Sequence, residues 1–186
     1  MDTNADLAFD EMLVSSADHS AGYAHGQVRA HYQRLQNWLR GQDMETLRAR
    51  HEEAELIFRR VGITFAVYGD DSGTERTIPF DIMPRVFPGR EWQRLQAGLT
   101  QRVRALNMFL QDVYHDQKIL KAGIVPAEQV LANTSYRTVM QGVKVPLDIY
   151  AHIAGIDLVR ATHGTEAGEF FVLEDNLRVP SGVSYM

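Results

Sequence analysis

The chain has 186 residues and a formal net charge of -5, with 45% hydrophobic and 23% charged residues, which is the composition of a folded domain. It contains no cysteine, which excludes disulfides and thiolate metal sites and agrees with the cytoplasmic location that we expect. Basic and acidic residues are mixed, which argues against a nucleic-acid partner, and no run of about 18 apolar residues offers a membrane span.

The first 26 residues are predicted to form a flexible N-terminal arm. They are rich in Ala, Ser, Gly, Asp and His, and they contain only a short apolar segment that starts at Phe9. They also lack the basic start and the long apolar run of a secretory signal. Residues 27–186 are then expected to form a single, partial domain.

Two helices are predicted between residues 29 and 60, because apolar residues recur there at intervals of three and four. Gly41 separates these helices, and Asp43 is placed to cap the second one. A β-hairpin is predicted to follow, since residues 63–68 are β-branched and aromatic and a Gly-Asp-Asp-Ser-Gly turn precedes a return segment that begins at Glu75.

The clearest helix is predicted over residues 91–121, where a single apolar stripe runs along the sequence. Arg102, Arg104 and Asn107 interrupt its otherwise ordinary surface. Two arginines on a helix most often belong to a solvated, ion-paired face, and the alternative is an anion site that faces a cleft. A further short helix is predicted over residues 126–132, with proline in the first turn.

The sequence changes to the period of β-strands near its C-terminus. Residues 149–161 and 170–176 are separated by a polar turn, which predicts a C-terminal β-hairpin. If the numbers of opposing residues sum to 331, Asp157 lies opposite Glu174 at about 5 Å, with Asn176 further along the same face.

Two carboxylates at that distance repel each other unless a proton or a cation compensates them. Mg²⁺ would remove the conflict, because it takes a few protein oxygens and keeps waters and nucleotide phosphate oxygens. Asp157, Glu174 and Asn176 supply oxygens only. Solvated acids on a structural hairpin are the alternative, and a shift of one residue in register would send Asp157 to the opposite face.

Several segments carry a resemblance to a known family. They are GITFAVY, ERTIPFDIMPR, EWQRLQAGLTQRVRALNMFLQDVY, GIDLVR and above all VLEDNLRVPSGVSYM. Together they strongly resemble the circularly permuted ATP-grasp family (type 2) that is similar to glutathionylspermidine synthetase, from about Phe9 onward. The resemblance implies an α+β fold: a partial ATP-grasp-like fold with N-terminal helices, a mixed or antiparallel sheet and a C-terminal β-hairpin.

The resemblance also implies an activity, that of an ATP-dependent carboxylate–amine ligase. Such enzymes phosphorylate a carboxylate with ATP as co-substrate and let an amine attack the acyl phosphate. By the matching motif, Asp157, Glu174 and Asn176 would hold Mg²⁺ against the phosphates of ATP. The implied substrates are a small, peptide-like carboxylate and an amine.

The same resemblance gives roles to further residues. Arg178 would balance charge on the transferring phosphoryl group. The turn that contains Ser181 and Gly182 would approach the substrate carboxylate with backbone N–H groups. Arg102 and Asn107 are weaker candidates for binding substrate.

The chain departs from the family pattern at its end. Family members continue past this point, and the segments that clamp the nucleotide would follow the last predicted strand. We therefore expect a truncated N-terminal portion of a ligase, with a downstream polypeptide as the candidate partner that completes the fold. The alternatives are a noncatalytic substrate- or partner-binding module and an inactive fragment. Apolar residues near the C-terminus are predicted to be exposed and to favour association: Phe171, Leu173, Val183 and Tyr185.

Overall fold

The structure is a computed structural model, and it describes residues 10–14, 26–66, 75–77, 80–161, 168–180 and 183. The chain divides into two compact units. Unit 1 comprises Met1–Pro88, Asp157–Glu174 and Ser181–Met186, and unit 2 comprises Gly89–Ile156 and Asp175–Pro180. Helices and short sheets occur together, as the predicted α+β class requires. None of the helices in the described ranges combines the length and apolarity needed to cross a bilayer.

Unit 1 contains the two predicted helices, α1 (Gln33–Arg40) and α2 (Met44–Val61). The carboxylate of Asp43 accepts a hydrogen bond of 2.6 Å from the backbone N–H of Thr46, so the predicted cap is confirmed. The cap satisfies one of the N–H groups that lack a partner inside a helix. Gly62 follows α2 with a φ of 77°, a left-handed conformation that glycine adopts without strain.

The predicted first hairpin is also present in unit 1. Strands β1 (Thr64–Ala66) and β2 (Glu75–Thr77) pair in antiparallel fashion, with Thr64 opposite Thr77. The turn predicted between them falls in residues 67–74, which lie outside the described part of the chain.

Residues 10–14 belong to the packed part of unit 1, which differs from the predicted flexible arm. The backbone N–H of Val14 donates a hydrogen bond of 2.9 Å to the carbonyl of Gln27. The Val14 side chain is only 1% exposed, so it contributes to the core. Residues 1–9 and 15–25 lie outside the described ranges, and for them the arm stays a prediction.

Unit 2 is built on the long helix α3 (Gly89–Tyr114), which the short helices α4 (Lys118–Lys121) and α5 (Ala127–Leu131) follow. The helix predicted over residues 91–121 is therefore divided. Gln117 interrupts it with a φ of 54°. The two carboxylate oxygens of Asp112 then accept hydrogen bonds from the backbone N–H groups of Lys118 and Ile119, each at 2.9 Å, and so cap α4 from a distance.

Aromatic side chains organise the interior of unit 2. Tyr114, which is 8% exposed, stacks on Tyr136 with ring centroids 5.1 Å apart and on Tyr150 at 6.0 Å. These parallel arrangements add to the apolar area that the rings bury. They connect the end of α3 to the segment that leads into the last hairpin.

The predicted C-terminal β-hairpin consists of β3 (Gly155–Ala161) and β4 (Glu169–Asn176). The two strands are hydrogen-bonded neighbours in a second two-stranded sheet. Residues 162–168 connect them, a connection too short for the crossover that parallel strands require, so the pair is antiparallel. The described strands thus form two separate two-stranded sheets, while the sequence predicted one sheet plus the hairpin.

Candidate functional site

The two predicted metal-binding carboxylates lie on the paired strands of the C-terminal hairpin. Asp157 on β3 and Glu174 on β4 both belong to unit 1, and both side chains are exposed. Among the described residues, none forms a hydrogen bond or an ion pair with the Asp157 carboxylate. No three His, Cys, Asp or Glu side chains of the described ranges could hold a metal ion, and the predicted set has two carboxylates and an amide.

The burial pattern of β4 departs from strict alternation. Phe170 and Val172 are half-buried, whereas Phe171, Leu173 and also Glu174 are exposed. The sequence predicted Glu174 on the face of Phe170 and Val172, and the burial pattern does not follow that prediction. β4 has 8 residues against 7 in β3. An extra residue and a break in alternation are both typical of a β-bulge.

Contacts near the two ends of the hairpin agree with different registers. The guanidinium of Arg160 lies 4.8 Å from the ring centroid of Phe170, so these two side chains share a face near the connection, which requires an even sum for opposing residues. At the other end, a Cβ added to Gly155 would lie 3.5 Å from the Cβ of Asn176, as expected for a sum of 331. A β-bulge changes the sum of opposing residue numbers by one between the two sides of the bulge. The predicted pairing of residues 157 and 174 therefore stays a prediction.

Asp175, which follows Glu174, pairs with Arg102 of α3 within unit 2. Arg102 donates from Nε to one carboxylate oxygen at 2.7 Å and from Nη2 to the other at 2.6 Å. The hydrogen bond from Arg102 is the main cause that lowers the pKa of Asp175; burial opposes it, and the positive charge adds to it. The same hydrogen bond raises the pKa of Arg102. The guanidinium edge formed by Nε and Nη2 is thus occupied, and the predicted substrate contact of Arg102 stays a prediction.

Asn107 has a structural position inside unit 2. Its side-chain oxygen accepts hydrogen bonds from the backbone N–H groups of Tyr150 at 2.8 Å and Ala151 at 3.0 Å. Its amide nitrogen donates to the carbonyl of Val103 at 3.2 Å. The side chain therefore fixes α3 to the segment before β3, and its predicted contact with substrate stays a prediction.

The other predicted residues follow or end β4. Asn176 is half-buried, and Arg178 is exposed, so a ligand could reach its guanidinium. Arg104, the second arginine of the predicted pair on α3, is exposed as well. Ser181 and Gly182 lie outside the described residues.

Sequence reasoning missed a cleft of about 650 Å³ in unit 2, which none of the predicted site residues lines. Its charged lining is contributed by Asp112, His115, Asp116, Lys118, Lys144 and Asp148. The Nε2 atom of His115 lies 2.9 Å from the hydroxyl of Tyr150. These side chains come from two stretches of the sequence, residues 112–118 and 144–148, and no local pattern indicates that the two stretches share a cleft.

Comparison with known proteins connects the chain to a described family. A family model described as a circularly permuted ATPgrasp matches residues 84–186, which is more than half of the chain. The match includes α3, the C-terminal hairpin and all of the predicted site residues.

Several curated proteins are similar in sequence. An uncharacterized protein of Synechocystis sp. is 46% identical over 164 residues, which are 88% of this chain and 33% of that protein. An uncharacterized protein of Mycobacterium leprae is 41% identical over 180 residues, 97% of this chain and 29% of that protein. A protein of Frankia casuarinae named "Putative glutamate--cysteine ligase 2-2" is 42% identical over 164 residues, 87% of this chain and 18% of that protein. The chain spans about a third, or less, of the length of these relatives, and no solved structure matches it.

Proposed function

Because the chain belongs to the circularly permuted ATP-grasp family, we propose that it is part of an ATP-dependent ligase that joins a carboxylate to an amine through an acyl phosphate. The observation that carries the proposal is the pair of exposed carboxylates, Asp157 and Glu174, on the two strands of a hairpin inside the matched region. The name of the Frankia relative, which denotes a ligase, supports the same reaction class. Likeness to glutathionylspermidine synthetase in particular stays a prediction.

The proposed ligands suit a hard divalent cation. Asp157 and Glu174 offer two exposed carboxylates, and Asn176 adds an amide oxygen, a donor set of the kind that binds Mg²⁺ together with waters and phosphates. Bound Mg²⁺ would neutralise the phosphate charge of ATP. The chain's own exposed Arg178 would stabilise the negative charge that spreads over the phosphoryl group during transfer.

Acyl transfer then needs a way to orient the substrate carboxylate. We assign this role to the backbone N–H groups of Ser181 and Gly182, because glycine lets a ligand approach the backbone closely. Oriented N–H donors stabilise the oxygen that becomes negative when the amine attacks. The proposed substrates remain a small peptide-like carboxylate and an amine.

A second candidate is a binding module that recognises a substrate or a partner without turnover. One observation favours it: the 186 residues contain no Gly-rich phosphate loop that could hold the nucleotide.

Metal-dependent nucleotide binding separates the two candidates. Mn²⁺ is a paramagnetic probe for Mg²⁺ sites, and its binding to the 186-residue chain in the presence of ATP can be measured by electron paramagnetic resonance. Removal of a ligand should weaken Mn²⁺ binding at least about tenfold, so we expect this result for Asp157→Asn and for Glu174→Gln. Glu169→Gln is the matched control, since Glu169 is an exposed carboxylate on β4 outside the proposed set.

The outcomes are distinct. Binding by the wild-type chain and the control, with loss in both ligand variants, supports the ligase site. If the wild-type chain binds neither Mn²⁺ nor ATP, or if the ligand variants bind as well as Glu169→Gln does, the proposed site is wrong and the binding module is favoured.

A further inference from the structure

We propose that Arg102 is a positioning residue for the metal-binding strand and acts through Asp175, without touching substrate. This inference rests on the proposed function, because it assigns a task to the strand that carries Glu174 and Asn176. It replaces the substrate contact that the sequence predicts for Arg102.

The geometry of the ion pair between Arg102 and Asp175 is suited to fixing the orientation of the Asp175 side chain. Arg102 engages both carboxylate oxygens of Asp175 through parallel hydrogen bonds of 2.7 and 2.6 Å. A two-bond fork of this kind fixes the relative orientation of both groups, which a single contact does not do. The Asp175 side chain is 17% exposed and that of Arg102 is 43% exposed, so the carboxylate is the more sheltered partner.

Arg102 belongs to a long helix that further hydrogen bonds hold in place within unit 2. Arg102 lies in the middle of α3, a helix of 26 residues. Five residues further on, Asn107 connects the same helix to the backbone of Tyr150 and Ala151. Sites held by rigid elements keep their geometry better than sites held by loops. The end of β4 thereby gains a fixed reference point within unit 2.

Because Asp175 lies in a strand, fixing its side chain also fixes the orientation of the residues on either side of it. Side chains alternate between the two faces of a strand, so an Asp175 side chain held on one face directs residues 174 and 176 to the other. Those two residues are the ligands that we propose on β4.

The test measures Mn²⁺ affinity in the presence of ATP for four variants of the full chain. Asp175→Asn removes the charge, and Arg102→Lys keeps a charge but cannot form the fork. The double variant Arg102→Asp with Asp175→Arg exchanges the partners. Asp116→Asn is the control, because Asp116 forms an exposed ion pair of 2.7 Å with Lys118 in the same unit. Circular dichroism confirms that each variant is folded at the assay temperature, and Arg102→Lys is the milder probe should Asp175→Asn unfold.

We expect both single variants to bind Mn²⁺ about tenfold more weakly, in the range for residues that orient metal ligands. The exchanged pair should recover most of the affinity, and Asp116→Asn should match the wild type. Single variants that bind within twofold of the wild type, or an exchanged pair as weak as they are, overturn the inference while the metal site stands. A wild-type chain that binds no Mn²⁺ overturns both the proposed function and this inference.

Discussion

Arg160 on β3 donates a hydrogen bond of 3.1 Å to the carboxylate of Glu11, a residue 149 positions earlier in the chain. The Arg160 side chain is 10% exposed and that of Glu11 is 17% exposed. The Nε atom of Arg85 lies 3.5 Å from the other oxygen of Glu11, and the ring of Phe170 lies beneath the Arg160 guanidinium. Glu11 therefore helps to hold the part of the C-terminal hairpin that belongs to unit 1.

Glu11→Ala should destabilise the chain considerably. The substitution leaves the nearly buried guanidinium of Arg160 without its carboxylate, and loss of one partner from a buried pair costs about 3 kcal/mol in free energy of unfolding. Urea denaturation followed by circular dichroism measures this loss. Glu53→Ala, at an exposed position on α2, is the control and should change stability by less than about 0.5 kcal/mol. Equal stability of the two variants would show that Glu11 is dispensable.

Asn107→Ala should also lower the free energy of unfolding. It leaves the N–H groups of Tyr150 and Ala151 without their acceptor, and a buried polar group without a partner costs about 1–3 kcal/mol. Asn107→Asp keeps an acceptor oxygen for both N–H groups, so its loss should be smaller. Thermal or urea unfolding of the two variants gives the comparison. If alanine is tolerated better than aspartate, the assigned structural role is wrong.

Local patterns in the sequence predicted the elements that depend on local physics. The spacing of apolar residues predicted α1, α2 and β4, because it reflects which side chains face the interior. The cap at Asp43 was predictable as well, since its partner Thr46 is only three positions away. The division of the long helix was missed, because residues 115–117 are His, Asp and Gln, and none of these is a helix breaker such as glycine or proline. Only the structure shows that Asp112 satisfies the first N–H groups of α4.

Long-range contacts were beyond local patterns. No local pattern indicates a partner for Asp175, because Arg102 lies 73 positions away from it in the sequence. Burial of Val14 depends on pairing with the segment around Gln27, and the polar composition of the surrounding residues concealed it. In the hairpin, the two strands were found correctly. Strict alternation of burial failed at Glu174, a departure that is typical of a β-bulge and that a period of two does not predict.

The pair between Asp175 and Arg102 should make stability depend on pH in the acid range. The pKa of Asp175 is lowered in the folded state, mainly by the hydrogen bond from Arg102. The pKa of Asp175 in the folded state therefore lies below its unfolded value of about 3.9. The stabilisation that the ion pair contributes is complete above the unfolded pKa and is lost as the pH falls through the folded pKa. Thermal unfolding midpoints measured between about pH 6 and pH 2 should fall less steeply in Asp175→Asn than in the wild type.

Other carboxylates contribute to the same acid transition. The pKa of Asp43 is lowered by its hydrogen bonds with Thr46, and that of Asp116 by Lys118. The Asp175→Asn variant should therefore keep part of the pH dependence. Asp116→Asn is the comparison, since its ion pair is more exposed and should contribute less. A wild-type slope in Asp175→Asn would contradict the role of the Arg102 fork.

Gly155→Ala should disturb the start of β3. An added Cβ would lie 3.0 Å from the Cβ of Pro180, so either β3 or the residues after β4 must move. Overpacking of this kind typically costs about 1–3 kcal/mol. Gly98→Ala is a matched control, because a Cβ there meets open space within α3 and should stabilise the helix by about 0.5–1 kcal/mol. Urea denaturation of both variants measures the difference, and similar stabilities would contradict the close approach.

Apolar side chains on the C-terminal hairpin are exposed, as the sequence predicted for part of them. In unit 1, Val159 is 42%, Phe171 41% and Leu173 69% exposed, and Val183 is 43% exposed. The predicted Tyr185 lies outside the described residues. Neighbouring exposed apolar side chains favour association, because contact removes their surface from water. We expect the sedimentation coefficient of the wild-type chain to rise with protein concentration.

Leu173→Lys should reduce this association, since a charged side chain at the most exposed of these hairpin positions resists removal from water. Val139→Lys introduces the same charge at an 82% exposed valine of unit 2, outside the hairpin, and controls for the change in net charge. Fluorescence of a dye that binds apolar surface should fall in Leu173→Lys and stay unchanged in Val139→Lys. If both variants sediment like the wild type at every concentration, the hairpin side chains do not drive association. Association through the hairpin would remove the Leu173 side chain from water, so the lysine variant would have to weaken it.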